Sequence, residues 1–389
     1  MTMADGELAI AQAAFVRRAP IAALPPPADM RGVRGWLRSN LLSSPFNIVL
    51  TAIMLALVVW VALTLLDFLI VDAVWRGSDR TACLDSEQHR HVGACWPFVW
   101  ERLNYFTYGS YPIPQRWRVD VFFAMLAVGA GWMLWLDAPR RDLGAVYFFI
   151  VVPVASFILL HGAPLLGLPL VDTSLWGGVL VTVVVAAVGI VVSLPLGILL
   201  ALGRRSALPA VRLCSVIFIE FVRGVPLITV LFMASVMLPL FLSEDWSPDK
   251  LLRALIGIAL FASAYMAEVV RAGLLAIPRG QYEAATALGL SYWPRMWLII
   301  LPQALRVTIP NIVNTTIGLF KDTTLVFIVG IFDLLRTIEV ARIDPKWATP
   351  VTSPTGYAVA AMFYFVFCYS MSRYARHMEL RLSAGRERR

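Results

Sequence analysis

The chain has 389 residues, of which 59% are hydrophobic and only 15% charged, and its mean hydropathy is +0.74. This composition excludes an ordinary soluble domain and predicts an integral membrane protein. The 33 Lys and Arg residues outnumber the 25 acidic residues, which gives a formal net charge of +8. Because the arginines lie at the ends of apolar runs, they indicate membrane topology and contact with lipid headgroups rather than nucleic-acid binding.

Residues 1–45 carry a proline run and five arginines, and they are predicted to form a cytoplasmic tail without a cleavable signal peptide. After this tail, the sequence has eight apolar stretches of the roughly 20 residues needed to cross a membrane. They cover residues 46–72, 119–137, 144–161, 175–202, 213–242, 253–275, 302–332 and 356–372. We therefore expect an all-α membrane protein with about eight transmembrane helices.

Arginines cluster before the first stretch, after the even-numbered stretches and in the basic tail at 376–389. By the positive-inside rule, both chain ends and the polar segment 278–302 are predicted to be cytoplasmic. The second and third stretches are joined by only a few residues, Asp137 to Asp142, so a six-span chain with the same ends is the alternative.

The largest polar insertion, residues 74–118, is predicted to be an extracytoplasmic loop. It contains Cys83 and Cys95, and a disulfide between them would stabilise the loop by roughly 3 kcal/mol. Free thiols are an alternative. A zinc site with His89 and His91 is another, although the spacing of these four residues is unlike that of known zinc ligands.

The polar segment 278–302 separates two strongly apolar stretches. Good helix formers come first, Gly289 permits a sharp bend, and Tyr292 to Ile300 is predicted to be a second short helix that Pro302 ends. Trp297 and Ile300 are expected to be internal. Since a soluble partner cannot grip a lipid-facing helix, such an emerging segment is where we expect one to bind.

Charged residues inside the apolar stretches are costly and must face protein or water. Glu268 and Arg271 are three residues apart and can form an ion pair, or Glu268 can face a cavity. Glu220 and Arg223 have the same spacing before Gly224 and Pro226, where we expect a helix break. A polar path for a zwitterionic substrate, or a set of structural hydrogen bonds, is predicted for Asn311, Asn314, Lys321, Asp322, Thr323 and Thr324.

The segment from Glu283 to Pro302 reads Glu-Ala-Ala, three residues, Gly, nine residues, Ile, one residue, Leu-Pro. This spacing resembles the EAA loop of ABC-importer permeases. The resemblance implies that a cytoplasmic ATPase dimer, which binds ATP and Mg, docks on this loop. The implied coupling residues are Glu283, Ala284, Ala285, Gly289, Ile299, Leu301 and Pro302.

Residues 218–232, 263–289 and 301–325 resemble polar amino-acid ABC permeases, with E-x-x-R-G-x-P-L, A-E-x-x-R-A-G and L-P-Q-A followed by K-D-T. The resemblance implies a permease core at 171–375, formed by the C-terminal five helices. Residues 46–170 would add an extension of about three helices, which is similar to the M-type subunit of general L-amino-acid importers. Thr324 and Val225 depart from the usual pattern, which bears on substrate range.

These observations predict a permease subunit of an inner-membrane importer for polar L-amino acids. A second homologous permease or a second copy, and an extracytoplasmic amino-acid-binding protein, are the implied partners. None of the three lysines follows a glycine as a Walker A loop requires, so this chain is not expected to have its own ATPase site. Neither catalysis nor a cofactor or metal is expected in it. The alternative is an ion-coupled secondary transporter that uses Asp322 and Lys321.

Overall fold

The structure is a computed structural model that describes residues 32–85, 91–135, 138–242 and 248–384. The predicted tail up to residue 31, the end of the second stretch at 137 and residues 385–389 of the basic tail lie outside the described residues, as does His89. The chain divides into two compact units, Met1–Phe68 and Leu69–Arg389.

The first unit contains helix α1 (Gly32–Asn40) and the main part of helix α2 (Pro45–Leu66). The Ser44 side chain accepts a hydrogen bond from the Asn47 backbone N–H, and Pro45 occupies the first turn, so α2 begins with a sound N-cap. None of its residues is buried. Continued by a π-helical turn to Val71, it forms an apolar span of 27 residues, as predicted.

The second unit is a helical bundle. Its helices are α3 (Trp96–Tyr108), α4 (Trp117–Leu134), α5 (Arg141–His161), α6 (Gly178–Arg204), α7 (Pro209–Gly224), α8 (Leu227–Phe241), α9 (Lys250–Ala276), α10 (Arg279–Ala287), α11 (Tyr292–Val329), α12 (Leu334–Ala341) and α13 (Thr352–Ala384). In the described part of the chain, seven helices are long and apolar enough to cross a membrane, or eight if the bent pair α7 and α8 is one span. The all-α membrane fold is confirmed, and α4 and α5 are separate spans.

Three prolines of the spanning helices follow π-helical turns. Each is the second residue after its turn: Pro153 after Tyr147–Val151, Pro239 after Met233–Met237, and Pro302 after Arg295–Ile300. A proline cannot donate to the carbonyl four residues earlier and its ring collides with it, and the wider turn relieves that conflict. Pro302 therefore does not end a helix, as the sequence suggested: α11 continues through it.

Helices α6 and α9 are the most buried of the spans and pack against each other. At Gly197 the two backbones approach so closely that a Cβ atom there would lie 2.7 Å from the Cβ of Met266. A larger residue at this position would force the central pair apart, so Gly197 fixes the spacing at the centre of the bundle.

A compact cap joins residues 72–111 to residues 334–352. Helix α3 and the disulfide Cys83–Cys95 lie on one side of it, and α12 and the fully buried Trp347 lie on the other. Two ion pairs cross the contact, Arg102 with Asp344 and Lys346 Nζ with Glu101 Oε2 at 2.6 Å. The predicted loop 74–118 is therefore a folded part of the bundle, and Cys83 and Cys95 form a disulfide.

Replacing both Cys83 and Cys95 with serine is expected to destabilise the cap by about 3 kcal/mol, because the bond closes a loop between residues 12 apart. Thermal unfolding of the purified chain, with limited proteolysis of residues 72–111 as a local readout, measures this. The control is Cys214→Ser, which changes a free, exposed cysteine. Equal unfolding temperatures for the double variant and the control would contradict the expectation.

Asp333 gives the cap a pH dependence. It is fully buried at the N-cap of α12, and burial raises its pKa from 3.8 to about 6, although the backbone N–H groups of Arg336 and Leu335 donate to it. A raised folded-state pKa means that stability is complete below about pH 4 and is lost as the pH rises through 6. Between pH 5 and pH 8 we expect a loss of about 1–2 kcal/mol.

The Asp333→Asn variant should lack this component, since an amide does not titrate. Thermal unfolding at pH 5 and at pH 8 should therefore fall less steeply for the variant than for the wild type. Parallel pH profiles would contradict the assignment to Asp333.

Candidate coupling site and membrane path

The coupling segment, residues 278–302, begins as helix α10 and turns at Gly289. The turn is a Schellman motif: the Gly289 N–H donates to the Thr286 carbonyl at 2.9 Å and the Leu290 N–H donates to the Ala285 carbonyl at 3.2 Å. Gly289 has a φ of +75°, which a side-chain-bearing residue rarely adopts. The glycine therefore sets the angle at which the chain leaves α10 and enters α11.

The predicted coupling residues fall into two groups. Glu283, Ala284, Gly289 and Pro302 are exposed, and Ile299 is half-buried. Ala285 and Leu301 are buried, and Leu301 belongs to the apolar cluster that α6, α7, α9 and α11 form at this end of the bundle. The segment thus presents one face to the outside and anchors the other in the bundle.

The second half of the segment is the beginning of α11 rather than a separate short helix. Met296 and Ile300 are buried and point into the bundle, whereas Trp297 is 51% exposed. The expectation was right for Ile300 and wrong for Trp297, because residues four apart in this stretch share the inward face and Trp297 lies beside it. The Arg295 guanidinium donates to Thr286 Oγ1 at 2.7 Å and ties the two halves together.

Tyr282 connects α10 to the helices of the bundle. Its hydroxyl donates to the Leu274 carbonyl at 3.1 Å and accepts from Arg205 Nη1 at 3.2 Å. The Arg205 guanidinium also lies over the Tyr282 ring, 5.6 Å from its centroid. Tyr282 therefore links α10 to the ends of α6 and α9.

The residue next to Arg205 enters an ionic network that joins three helices. Glu268 on α9 accepts from Arg204 Nη1 at 2.9 Å and from Arg271 Nε at 2.9 Å, and Arg223 Nη1 lies 3.8 Å from it. Arg204 Nη1 also lies 2.7 Å from Glu220 Oε1. We call Arg204, Glu220, Arg223, Glu268 and Arg271 the ionic network. It holds α6, α7 and α9 together near the coupling segment.

The network revises two expectations. The Glu268–Arg271 pair is present, as one alternative predicted. Glu220, however, pairs with Arg204 rather than with Arg223. Arg223 instead lies close to Glu268. The spacing of three residues allowed a Glu220–Arg223 pair, yet the bend beyond Gly224 brings better-placed partners from other helices. Three guanidinium groups thus surround the Glu268 carboxylate, and its contact with a substrate stays a prediction.

The network lies beside the sharpest bend among the described spans. Helix α7 ends at Gly224, Pro226 has the extended backbone that precedes α8, and the two helix axes differ by 107°. Proline removes a backbone donor, and the residue before it avoids the helical region, so the helix stops where the sequence suggested. Arg223 thus connects the bend to Glu268.

Helix α11 carries an exposed polar stripe. Its exposed members are Asn311, Asn314 and Lys321. Together with Gly318, they are three or four residues apart, which places them on one face of the helix.

The other predicted path residues lie beside this face. Two of them are half-buried, Asp322 and Thr324. Thr323 is fully buried, and its hydroxyl donates to the Phe320 carbonyl at 2.8 Å, so it serves the helix rather than the stripe.

Sequence reasoning named neither Arg204 nor Tyr282 as part of the site. Arg204 and Glu268 are 64 residues apart, and no local pattern links them. A signal for Arg204 was its place as a charged residue at the end of a long apolar helix, which the topology rule had already explained. Only the packing of α6 against α9 shows its second role.

Comparison with known proteins identifies the architecture. The family model described as the binding-protein-dependent transport system inner membrane component matches residues 193–384. The amino-acid ABC transporter permease protein YhdY of Escherichia coli K12 is 48% identical over 93% of this chain and 97% of its own length. The glutamate/glutamine/aspartate/asparagine transport system permease protein BztC of Rhodobacter capsulatus is 40% identical over 95% of this chain and 98% of its own.

Among solved structures, a chain from the crystal structure of an amino acid ABC transporter with histidines has 27% sequence identity and a TM-score of 0.46. The match covers 52% of this chain and 92% of the chain in that structure. The family match gives no support to the ion-coupled alternative. The described fold and the sequence matches over nearly the whole chain agree with each other. The chain therefore belongs to the binding-protein-dependent transport system inner membrane components and is an ABC-transporter permease.

Proposed function

We propose that this chain is the membrane-spanning permease subunit of an ATP-driven importer for polar L-amino acids in the bacterial inner membrane. The observation that carries the proposal is the coupling segment: Glu283 and Gly289 are exposed, while Tyr282 and Ala285 hold the same helix to the bundle. An exposed helix with a rigid attachment is what an external motor needs in order to move the spans.

The motor is a separate cytoplasmic ATPase dimer, which binds ATP and Mg. Glu283 is exposed and makes no ion pair with another described residue, so its carboxylate is available to basic groups on that ATPase. The distribution of arginines supports a cytoplasmic location for the coupling segment and for both chain ends. The cap then lies on the opposite side, where an extracytoplasmic amino-acid-binding protein delivers substrate.

The substrate path runs along the polar stripe of α11. Exposed asparagine and lysine side chains cannot face hydrocarbon without a large free-energy cost, so the stripe faces water or a second permease chain. Lys321 offers a cation for a substrate carboxylate. The name of BztC, which lists two acidic amino acids and their amides, supports the same substrate class for this chain.

A reconstituted complex tests the proposal. The tagged chain is purified with its companions, placed in lipid vesicles and supplied with ATP, the binding protein and labelled glutamate or glutamine. Uptake should require both ATP and the binding protein, and Lys321→Gln should lower it at least tenfold without lowering basal ATP hydrolysis. Lys346→Gln, a change in the cap, is the control. Uptake without ATP, driven by an ion gradient, would overturn the proposal.

A further inference from the structure

An apolar cavity of about 290 Å³ lies at the end of the bundle opposite the coupling segment. Helices α4 and α5 form one side of it, and α6 and α9 form the other. An apolar cavity of about 150 Å³ is enough to bind benzene, so this space accommodates a considerably longer hydrocarbon.

The cavity opens on the lateral surface of the spans. Phe157 of α5 and Leu252 of α9 line it and are 63% and 46% exposed. Asn311, Asn314 and Lys321 are not among the described residues that line it, so it is separate from the polar stripe. An apolar space that opens between membrane helices is accessible to the acyl chains of the surrounding bilayer.

Three residues that line the cavity each carry a buried polar atom without a hydrogen-bond partner in the described part of the chain: Ser156 Oγ, His161 Nδ1 and Trp176 Nε1. Ser156 and Trp176 are only 8% and 6% exposed. A buried polar atom without a partner costs about 1–3 kcal/mol. Because the indole N–H can only donate, an occupant that satisfies Trp176 must bring a hydrogen-bond acceptor into an otherwise apolar space.

The charge at the rim restricts the occupant further. Asp249 lines the cavity and caps α9 by accepting from the Leu251 N–H. A carboxylate at the rim repels the carboxylate of a free fatty acid and attracts an ammonium group. An occupant with an apolar chain, neutral acceptor oxygens and a cationic end fits all of these features.

We propose that the cavity holds one acyl chain of an amine-bearing membrane phospholipid, whose ester oxygens accept from Trp176 and Ser156 and whose ammonium group lies near Asp249. The lipid fills the seam between α4–α5, which precede the segment that the family model matches, and the central helices α6 and α9. It is a structural ligand that joins the extension to the permease core.

Photolabelling tests this site on the full-length chain, purified in mild detergent with the chains that accompany it. The probe is phosphatidylethanolamine with a diazirine in one acyl chain, and labelled peptides are mapped by mass spectrometry. We expect labels on the cavity-lining parts of α5 and α9. Ala187→Trp places a large ring in the cavity and should lower this labelling at least fivefold.

Val154→Trp is the matched control, since Val154 is on the same helix as Phe157, is 57% exposed and does not line the cavity. Equal labelling of the Ala187→Trp and Val154→Trp variants would overturn the proposal. So would equal labelling by a diazirine-bearing free fatty acid, which should label less than one fifth as strongly because of Asp249.

A second variant addresses any failure of Ala187→Trp to fold. Trp176→Phe removes the indole donor and keeps an aromatic ring at this position, and it should weaken retention of the phospholipid about fivefold. Lipid that remains with the protein through repeated detergent washing, counted by mass spectrometry, measures this. Retention equal to that of the wild type would contradict the assigned hydrogen bond.

Discussion

The Glu268→Ala variant is expected to lose about 2–3 kcal/mol of stability, and its transport rate is expected to fall about tenfold. The Glu268 side chain is 16% exposed, and its carboxylate is the anion that Arg204, Arg223 and Arg271 share. Without it, three guanidinium groups remain close together, and Glu220 is the one acidic partner left to them among the described residues. Thermal unfolding of the purified chain and substrate uptake by the reconstituted complex measure the two effects.

The control for this prediction is Glu339→Ala. Glu339 pairs with Arg336 at the same spacing of three residues, but this pair is more exposed and lies on α12 outside the network. Its removal should change stability by less than about 1 kcal/mol. Adding Arg271→Ala to Glu268→Ala should restore part of the lost stability, because it removes one unbalanced charge. Equal losses for Glu268→Ala and Glu339→Ala would contradict the role of the network.

Replacing Gly289 with valine is expected to abolish most coupling between ATP hydrolysis and transport, with at least a tenfold loss of uptake. No atom lies within 4 Å of the place where a Cβ would be, so the substitution causes no collision. The harm comes from the backbone, since a φ of +75° is strained for a β-branched residue and the turn must open to relieve it. Substrate-stimulated ATP hydrolysis and uptake are measured together.

Gly289→Asn is the matched control, because asparagine tolerates this left-handed conformation far better than valine. It should retain most of the coupled activity while adding a side chain of similar size. If asparagine were as harmful as valine, the glycine would be required for close approach of the ATPase instead of for the turn. Membrane insertion, checked by yield and by gel filtration, should be normal in both variants.

The sequence predicted the spans well because twenty apolar residues in a row leave few alternatives in a lipid environment. It also placed the break between α7 and α8, since Gly224 and Pro226 disfavour a helix locally. It was wrong about Pro302, where the preceding π-helical turn accommodates the ring, and about Trp297, which lies outside the inward face. Its view of residues 74–118 as a loop overlooked the packing of α3 on α12.

The candidate site likewise contains residues that a local sequence pattern predicts and residues that only contacts between distant helices reveal. Gly289 and Glu283 are close in sequence, and the local pattern of residues predicted the bend at Gly289 that the structure has. The role of these two residues in coupling stays a prediction. Arg204 and Arg205 act through contacts with Glu268 and Tyr282 on distant helices, and such long-range pairing leaves no local periodicity to detect. Contacts between helices, rather than residue type, decide which charged residues share an ionic network.

The cap also constrains the order in which a ribosome can complete this protein. The Cys95 N–H donates to Thr355 Oγ1, a residue 260 positions later. At about 5–20 residues per second, translation of the intervening chain takes roughly 13–50 s, and during that time the side of α3 that packs against α12 and α13 lacks these partners. The disulfide between Cys83 and Cys95 is local and can form early. It can therefore stabilise the first part of the cap before residues 334–352 have been synthesised.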